Sequence, residues 1–213
     1  MNLIMDIDDQ GINHVISDMC EAHDCRDKLD QLHYLNPKFK VTLFAIPYYM
    51  TPEMLDWFQT NRGWAELAVH GFTHGSNYEC EKITYEEFDN WMDRFEDMFD
   101  EYFVKGFKCP GWQTSDAVFE WLDDHDWWIS CQNYDEQRIP KGLQAYVNNN
   151  GRFYIRQKDG SNTDIDSEFC HLHSWDVGAK GNEPNGIYES YDKVESLVRE
   201  AEEFKFVSEL FLV

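Results

Sequence analysis

Asp8 and Asp9 stand side by side behind the apolar run Leu3-Ile4-Met5, and His70 and His74 form a His-x-x-x-His pair closing a second apolar run. One carboxylate and two neutral imidazoles hold a divalent ion while leaving coordination positions open, which a catalytic site needs and a closed structural site lacks. The other carboxylate is then available as a base beside the ion. The chemistry these four residues suggest is attack by a metal-activated water.

Residues so far apart must be brought together by the fold. Short apolar runs alternate with longer amphipathic segments, the rhythm of β-α units around a parallel sheet. The expected strands are Asn2 to Ile7, Val41 to Ile46, Ala65 to Val69, Gly106 to Lys108, Trp127 to Cys131, Phe153 to Ile155, Glu168 to Leu172 and Phe204 to Leu212. Helices are expected over Cys20 to Tyr34, Pro52 to Thr60 with Thr51 as N-cap, Thr114 to Asp124 and Glu189 to Glu203. Thr84 and Glu87 have capping-box spacing and open the longest helix, whose apolar stripe is Phe88, Trp91, Phe95, Met98 and Tyr102. On this map Asp8 and Asp9 end one strand, His70 another, and Lys108 to Gly111 a third, while His173 follows the penultimate strand. In a barrel of parallel strands such ends share one face, where active sites are built.

Composition narrows the partners. With 41 acidic against 18 basic residues the formal charge is −23, so the long-range field repels nucleic acids and anionic membranes. A hydrophobic content of 42% over 213 residues is ample for the core of a single domain spanning 1–213. The first residues lack the basic region of a signal peptide, and no run approaches a membrane span, so a cytoplasmic location is expected. In that compartment the six cysteines stay reduced and form no disulfides. His14, Cys20, His23 and Cys25 are zinc-binding residue types whose spacing matches no common finger pattern, so no structural zinc is expected there.

The segment Glu66-Leu67-Ala68-Val69-His70-Gly71-Phe72-Thr73-His74 resembles the second motif of the polysaccharide deacetylases with a NodB-type domain, carbohydrate esterase family four. Ile7-Asp8-Asp9-Gln10 resembles the first, Thr-Phe-Asp-Asp-Gly; Phe107-Lys108-Cys109-Pro110-Gly111-Trp112 the third, Arg-Pro-Pro-Tyr-Gly; and Leu172-His173 the fifth. Val41 to Pro47 resembles the strand between motifs one and two. The resemblance implies a deformed (β/α)7-type barrel, a divalent metal (zinc first, with cobalt, nickel, manganese and iron as alternatives), and removal of acetyl groups from an acetylated glycan. The departures are Gln10 for Gly, Lys108 for Arg, Cys109 for Pro and Trp112 for Gly.

The residue roles implied are metal binding by Asp9, His70 and His74, a base at Asp8 held by Lys108, and an oxyanion donor in the backbone N–H of Gly111. His173 is the general acid, with His171, on the same strand face, as its competitor. Asp135 is a candidate to orient the acid histidine, and Trp112 and Trp175 are candidates to stack on sugar rings. Three other readings compete: a non-catalytic glycan-binding relative, a hydrolase of another small amide or ester, and an iron-dependent oxygenase, which also uses two histidines and one carboxylate.

Overall fold

The computed structural model of the chain describes residues 1–17, 20–75, 79–177 and 191–211. Its strands are β1 (Asn2–Gln10), β2 (His14–Ser17), β3 (Cys20–Ala22), β4 (Val41–Ala45), β5 (Ala65–His70), β6 (Phe103–Lys108), β7 (Trp128–Gln132), β8 (Ala145–Asn149), β9 (Arg152–Arg156), β10 (Asn162–Asp164), β11 (Glu168–His173) and β12 (Glu203–Lys205). The helices are α1 (Arg26–Leu35), α2 (Pro52–Asn61), α3 (Tyr85–Phe99), α4 (Asp116–Asp124), α5 (Ser174–Val177) and α6 (Tyr191–Glu200).

The main sheet runs β10-β9-β8-β7-β6-β5-β4-β1-β11, and β12 pairs with the start of β1. From β8 to β11 along that order every neighbouring pair is parallel, so seven strands make the wall of a deformed (β/α)7 barrel; β9 and β10 extend it as antiparallel strands. β4 and β5 are buried at every position because both faces are covered, which is why they read as continuous apolar runs. Outside the wall the core lies under the helices, with Leu3, Met5, Leu43, Leu67, Phe88, Phe95 and Trp121 among its members. Inside it lies a second cluster of Ile4, Phe44, Ala68, Trp128, Tyr146, Ile155, Val207 and Phe211. Among the described residues no ladder joins β11 to the β8–β10 side. That seam is closed by stacked rings, with Phe153 4.4 Å from Phe169 and Tyr146 within 5.0 Å of both.

Local chemistry fixes the helix starts. Thr51 Oγ1 accepts from the Met54 N–H, Ser115 caps α4 through Val118 N–H, and the capping box of Thr84 and Glu87 is complete. The α3 stripe is narrower than expected: Phe88, Met92 and Phe95 are buried, Met98 is 54% exposed, and Tyr102 lies beyond the helix.

Other expectations are corrected. The segment from Cys20 does not begin a helix; Cys20–Ala22 pairs with β2, and α1 starts at Arg26 after Asp24 binds its guanidinium. Strand β8 was missed. Of the expected last strand, Phe204 to Leu212, only Phe204 and Lys205 lie in a strand among the described residues, because the chain then turns under the barrel: Thr42 Oγ1 accepts from Val207 N–H, and Ser208 Oγ donates to Glu66 at 2.6 Å. The expected helix from Glu189 begins, within the described residues, at Tyr191, and Leu212, at the end of the expected last strand, likewise lies outside them.

Candidate metal centre

β1 and β5 deliver the four opening residues to the C-terminal ends of the parallel strands. Consecutive strand residues normally face opposite sides, so two adjacent acids cannot share a site on a regular strand. A bulge resolves this: Asp8 pairs with Phe44 and Gln10 with Ala45, leaving Asp9 as the extra residue, with φ 63°. The departure from regular strand therefore falls on Asp9 itself rather than on Gln10-Gly11. Buried Gln10 instead accepts from the Cys25 thiol at 2.8 Å, anchoring the entry to α1.

At the end of β5 the chain leaves the sheet through Gly71, φ 63°, and His74 itself takes φ 50°. A Cβ on Gly71 would lie 2.0 Å from Glu79 Oε1 and 2.5 Å from Pro110 Cγ, so the turn admits only glycine. Glu79 accepts from Phe72 N–H at 2.7 Å and Thr73 Oγ1 at 3.0 Å, clamping the loop between the two histidines. Sequence reasoning did not find Glu79, because a carboxylate serving backbone donors leaves no spacing signature.

Asp9 Oδ1 lies 3.5 Å from His70 Nε2 and 3.4 Å from His74 Nε2. One ligand atom from each of the three lies within 4.8 Å of the others, a group able to hold a metal ion. The donor chemistry fits: His70 Nδ1 sits 3.0 Å from the Lys108 carbonyl, which can only accept, so Nδ1 carries the proton and Nε2 the lone pair. Burial lowers the pKa of both histidines, and for His70 its neighbours His74 and Lys108 add to the effect, so both imidazoles are neutral as ligation requires.

Beside this triad, Lys108 is fully buried and donates to Asp8 Oδ1 at 2.7 Å and Asp6 Oδ2 at 2.9 Å. Its ammonium lies over the rings of Phe44, at 4.1 Å, and Trp112, at 4.4 Å. Burial works against the charged lysine, but the two carboxylates outweigh it and raise its pKa. Burial raises Asp8 despite Lys108; at Asp6 burial is overcome by Lys108 and His171, and that carboxyl is held below its usual range. Lysine in the arginine position thus still grips Asp8, and shares its charge with an aspartate that sequence reasoning overlooked.

β11 brings both remaining histidines to the same mouth. Asp6 Oδ1 accepts from His171 Nδ1 at 2.8 Å, and His171 Nε2 is 3.8 Å from Asp8. His173 Nε2 is 3.8 Å from Asp9 Oδ2; its ring stacks on Trp175 at 4.2 Å, and its N–H donates to Asp176. Burial, then His171 and Lys108, lowers the His173 pKa. Asp135 does not join them: it is buried against Arg138 at 2.9 Å, and Asp6 is the carboxylate that orients a histidine. Gly111 and Trp112 both have left-handed backbones, φ 59° and 58°, so the turn of the third motif persists although tryptophan stands where the motif has glycine. Trp112 is half-buried beside His171, whereas Trp175 is 7% exposed and presents little face to a sugar.

Elsewhere, His23 pairs with Glu21 and Cys25 with Gln10, so neither serves the finger-like grouping, and the Cys20 side chain lies outside the described residues. Among the described residues Cys25, Cys80, Cys109, Cys131 and Cys170 carry thiols rather than disulfides. Among the described residues no helix is long and apolar enough to cross a membrane. A cavity of about 540 Å³ at the opposite end of the strands, lined by His33, Lys40, Trp64 and Lys205, is remote from these groups.

The order and direction of the strands make the deformed (β/α)7 barrel that the sequence resemblance implies. Solved structures agree. The chain superposes on the Xyl-CE4 domain of a multidomain xylanase from the hindgut metagenome of Trinervitermes trinervoides with TM-score 0.58 and 16% identity, covering 99% of this chain and 89% of that one. A family 4 acetyl xylan esterase from Clostridium thermocellum, in complex with a cobalt ion, gives 0.56 and 17% over 100% and 91%. The Bc1960 peptidoglycan N-acetylglucosamine deacetylase gives 0.58 and 15% over 100% and 88%. A 4-alpha-glucanotransferase from Thermococcus litoralis also matches, with TM-score 0.58 and 14% identity over 98% of this chain and 40% of that one, so the fold itself does not select one chemistry. No family model and no curated protein matches the sequence.

Proposed function

We propose that this protein is a divalent-metal hydrolase that removes acetyl groups from a glycan, with zinc as the resident ion. The observation that carries the reading is the convergence of Asp9, His70 and His74 beside the Lys108-held Asp8. The structures of like fold, an acetyl xylan esterase in complex with cobalt and a peptidoglycan N-acetylglucosamine deacetylase, support both the metal and the substrate class.

Asp9, His70 and His74 would hold the ion, which when bound polarises an acyl carbonyl and makes water more acidic. Asp8 Oδ2 removes the proton of the attacking water while Lys108 fixes Oδ1 and keeps the carboxylate aimed into the cleft. The backbone N–H of Gly111, exposed in the turn after β6, donates to the oxygen that becomes negative. His173 gives a proton to the departing sugar nitrogen or oxygen, and Asp6 holds His171 as a neighbouring support. Trp112 at the rim provides an aromatic surface for a sugar ring.

The test is acetate release from N-acetylglucosamine oligomers and acetylated xylan, with zinc or cobalt supplied to chelated protein. Asp8→Asn is expected to lose about 10²–10⁴-fold in kcat with the metal retained. Undiminished turnover in that variant would remove Asp8 from the role of base, and no acetate from either substrate with any divalent ion would end the deacetylase reading.

A further inference from the structure

The mouth of the barrel contains a second group with the same ligand types as the first, one carboxylate and two imidazoles. Asp8, His171 and His173 each place a ligand atom within 4.8 Å of the other two. We propose that these three residues form a second, weaker divalent-cation site, bridged to the first through the Asp9 carboxylate, and that filling it stops turnover.

Each ligand is prepared by a neighbour. Asp6 accepts from His171 Nδ1 at 2.8 Å, so Nε2 is the ring nitrogen directed toward Asp8 Oδ2, at 3.8 Å. A carboxylate behind a histidine is the outer-shell pattern that orients metal ligands. Lys108 takes Asp8 Oδ1, so Oδ2 is the atom turned to the histidines. The two oxygens of Asp9 face different partners: Oδ1 faces His70 and His74, and Oδ2 faces His173 Nε2 at 3.8 Å. A carboxylate divided between two ligand sets is the usual link in paired-metal sites.

Charge sets the order of filling. Asp6, Asp8 and Asp9 against Lys108 leave two negative charges, which one divalent ion cancels. A second ion enters without that attraction and close to the buried ammonium, so it binds less tightly. The loss of turnover rests on the proposed function, because this ion would occupy Asp8 and His173, the base and the acid.

Zinc titration of the chelated full chain, followed by calorimetry and native mass spectrometry, should show two ions per chain with dissociation constants at least about tenfold apart. His171→Gln should bind one ion with the tighter constant unchanged. Cadmium magnetic resonance of the unaltered protein should give two signals, which needs no variant to fold. One ion in the unaltered protein at saturating zinc, or two in His171→Gln as well, overturns the site. Acetate release should rise through the first equivalent and fall at least about tenfold through the second; a flat or rising second phase overturns the inhibition. If no acetate is released at any zinc level, the inhibition fails together with the deacetylase reading, while the stoichiometry still decides the site.

Discussion

Both ends of the barrel bury carboxylates, and they treat them in opposite ways. At the N-terminal end Glu66 accepts from Thr42 Oγ1, Ser208 Oγ and Ser208 N–H, at 2.6, 2.6 and 3.3 Å, so neutral donors from β4 and the returning chain satisfy it. At the C-terminal end Asp6, Asp8 and Asp9 are set against one ammonium and four imidazoles, on a backbone bent into left-handed conformations at Asp9, Gly71 and His74. The lower carboxylate ties down a plug; the upper ones hold reactive atoms at a shared mouth. Strain and buried charge gather where chemistry is proposed.

The sharpest way to break this contrast is to remove an upper ligand. His70→Ala or Asp9→Ala should weaken zinc binding by more than the roughly 10–100-fold typical of losing an outer-shell partner, with the fold retained by circular dichroism. Next in size is Lys108→Met, which leaves Asp6 and Asp8 buried without their cation and should cost about 3–5 kcal/mol in urea unfolding. Lys108 also pulls the Asp8 pKa down, so in Lys108→Met the acid limb of the activity profile should move to higher pH. Glu66→Gln should cost about 1–3 kcal/mol, because an amide cannot accept all three donors, and should leave zinc affinity unchanged. A fall in affinity there would mean that the two ends are coupled.

The smallest effect is the pH dependence of the chelated protein. His70, His74 and His173 have folded pKa values below the unfolded value of about 6.5, so the unfolded chain takes up protons first as pH falls. Stability should be complete above that value and decline as pH drops through it, read as a falling midpoint of thermal unfolding. Added zinc should shift the decline to lower pH.

The barrel was legible because its parallel strands are buried on both faces: Val41–Ala45 is apolar but for Thr42 and Ala65–His70 but for Glu66 and His70, short runs of the kind a covered strand leaves. The metal-ligand pattern was legible because it depends on residue type and on strand ends. What escaped depends on partners distant in sequence. Asp6 reads as a polar interruption of β1 until Lys108 and His171 are folded against it. Ala145–Asn149 has two apolar residues after Ala145 and then two asparagines, too weak an alternation to mark a strand, and its neighbours β7 and β9 define it. The last segment has the composition of a strand and is diverted by the hydroxyls of Thr42 and Ser208.

The wall between β11 and the β8–β10 side is held by faces of Tyr146, Phe153 and Phe169 and by no ladder. Ring contacts tolerate sliding far better than directional hydrogen bonds do. Among the described residues the seam is therefore the place in the wall where a small shift costs ring contacts rather than backbone hydrogen bonds, while β1, β5 and β11 keep the acid and imidazole groups in register.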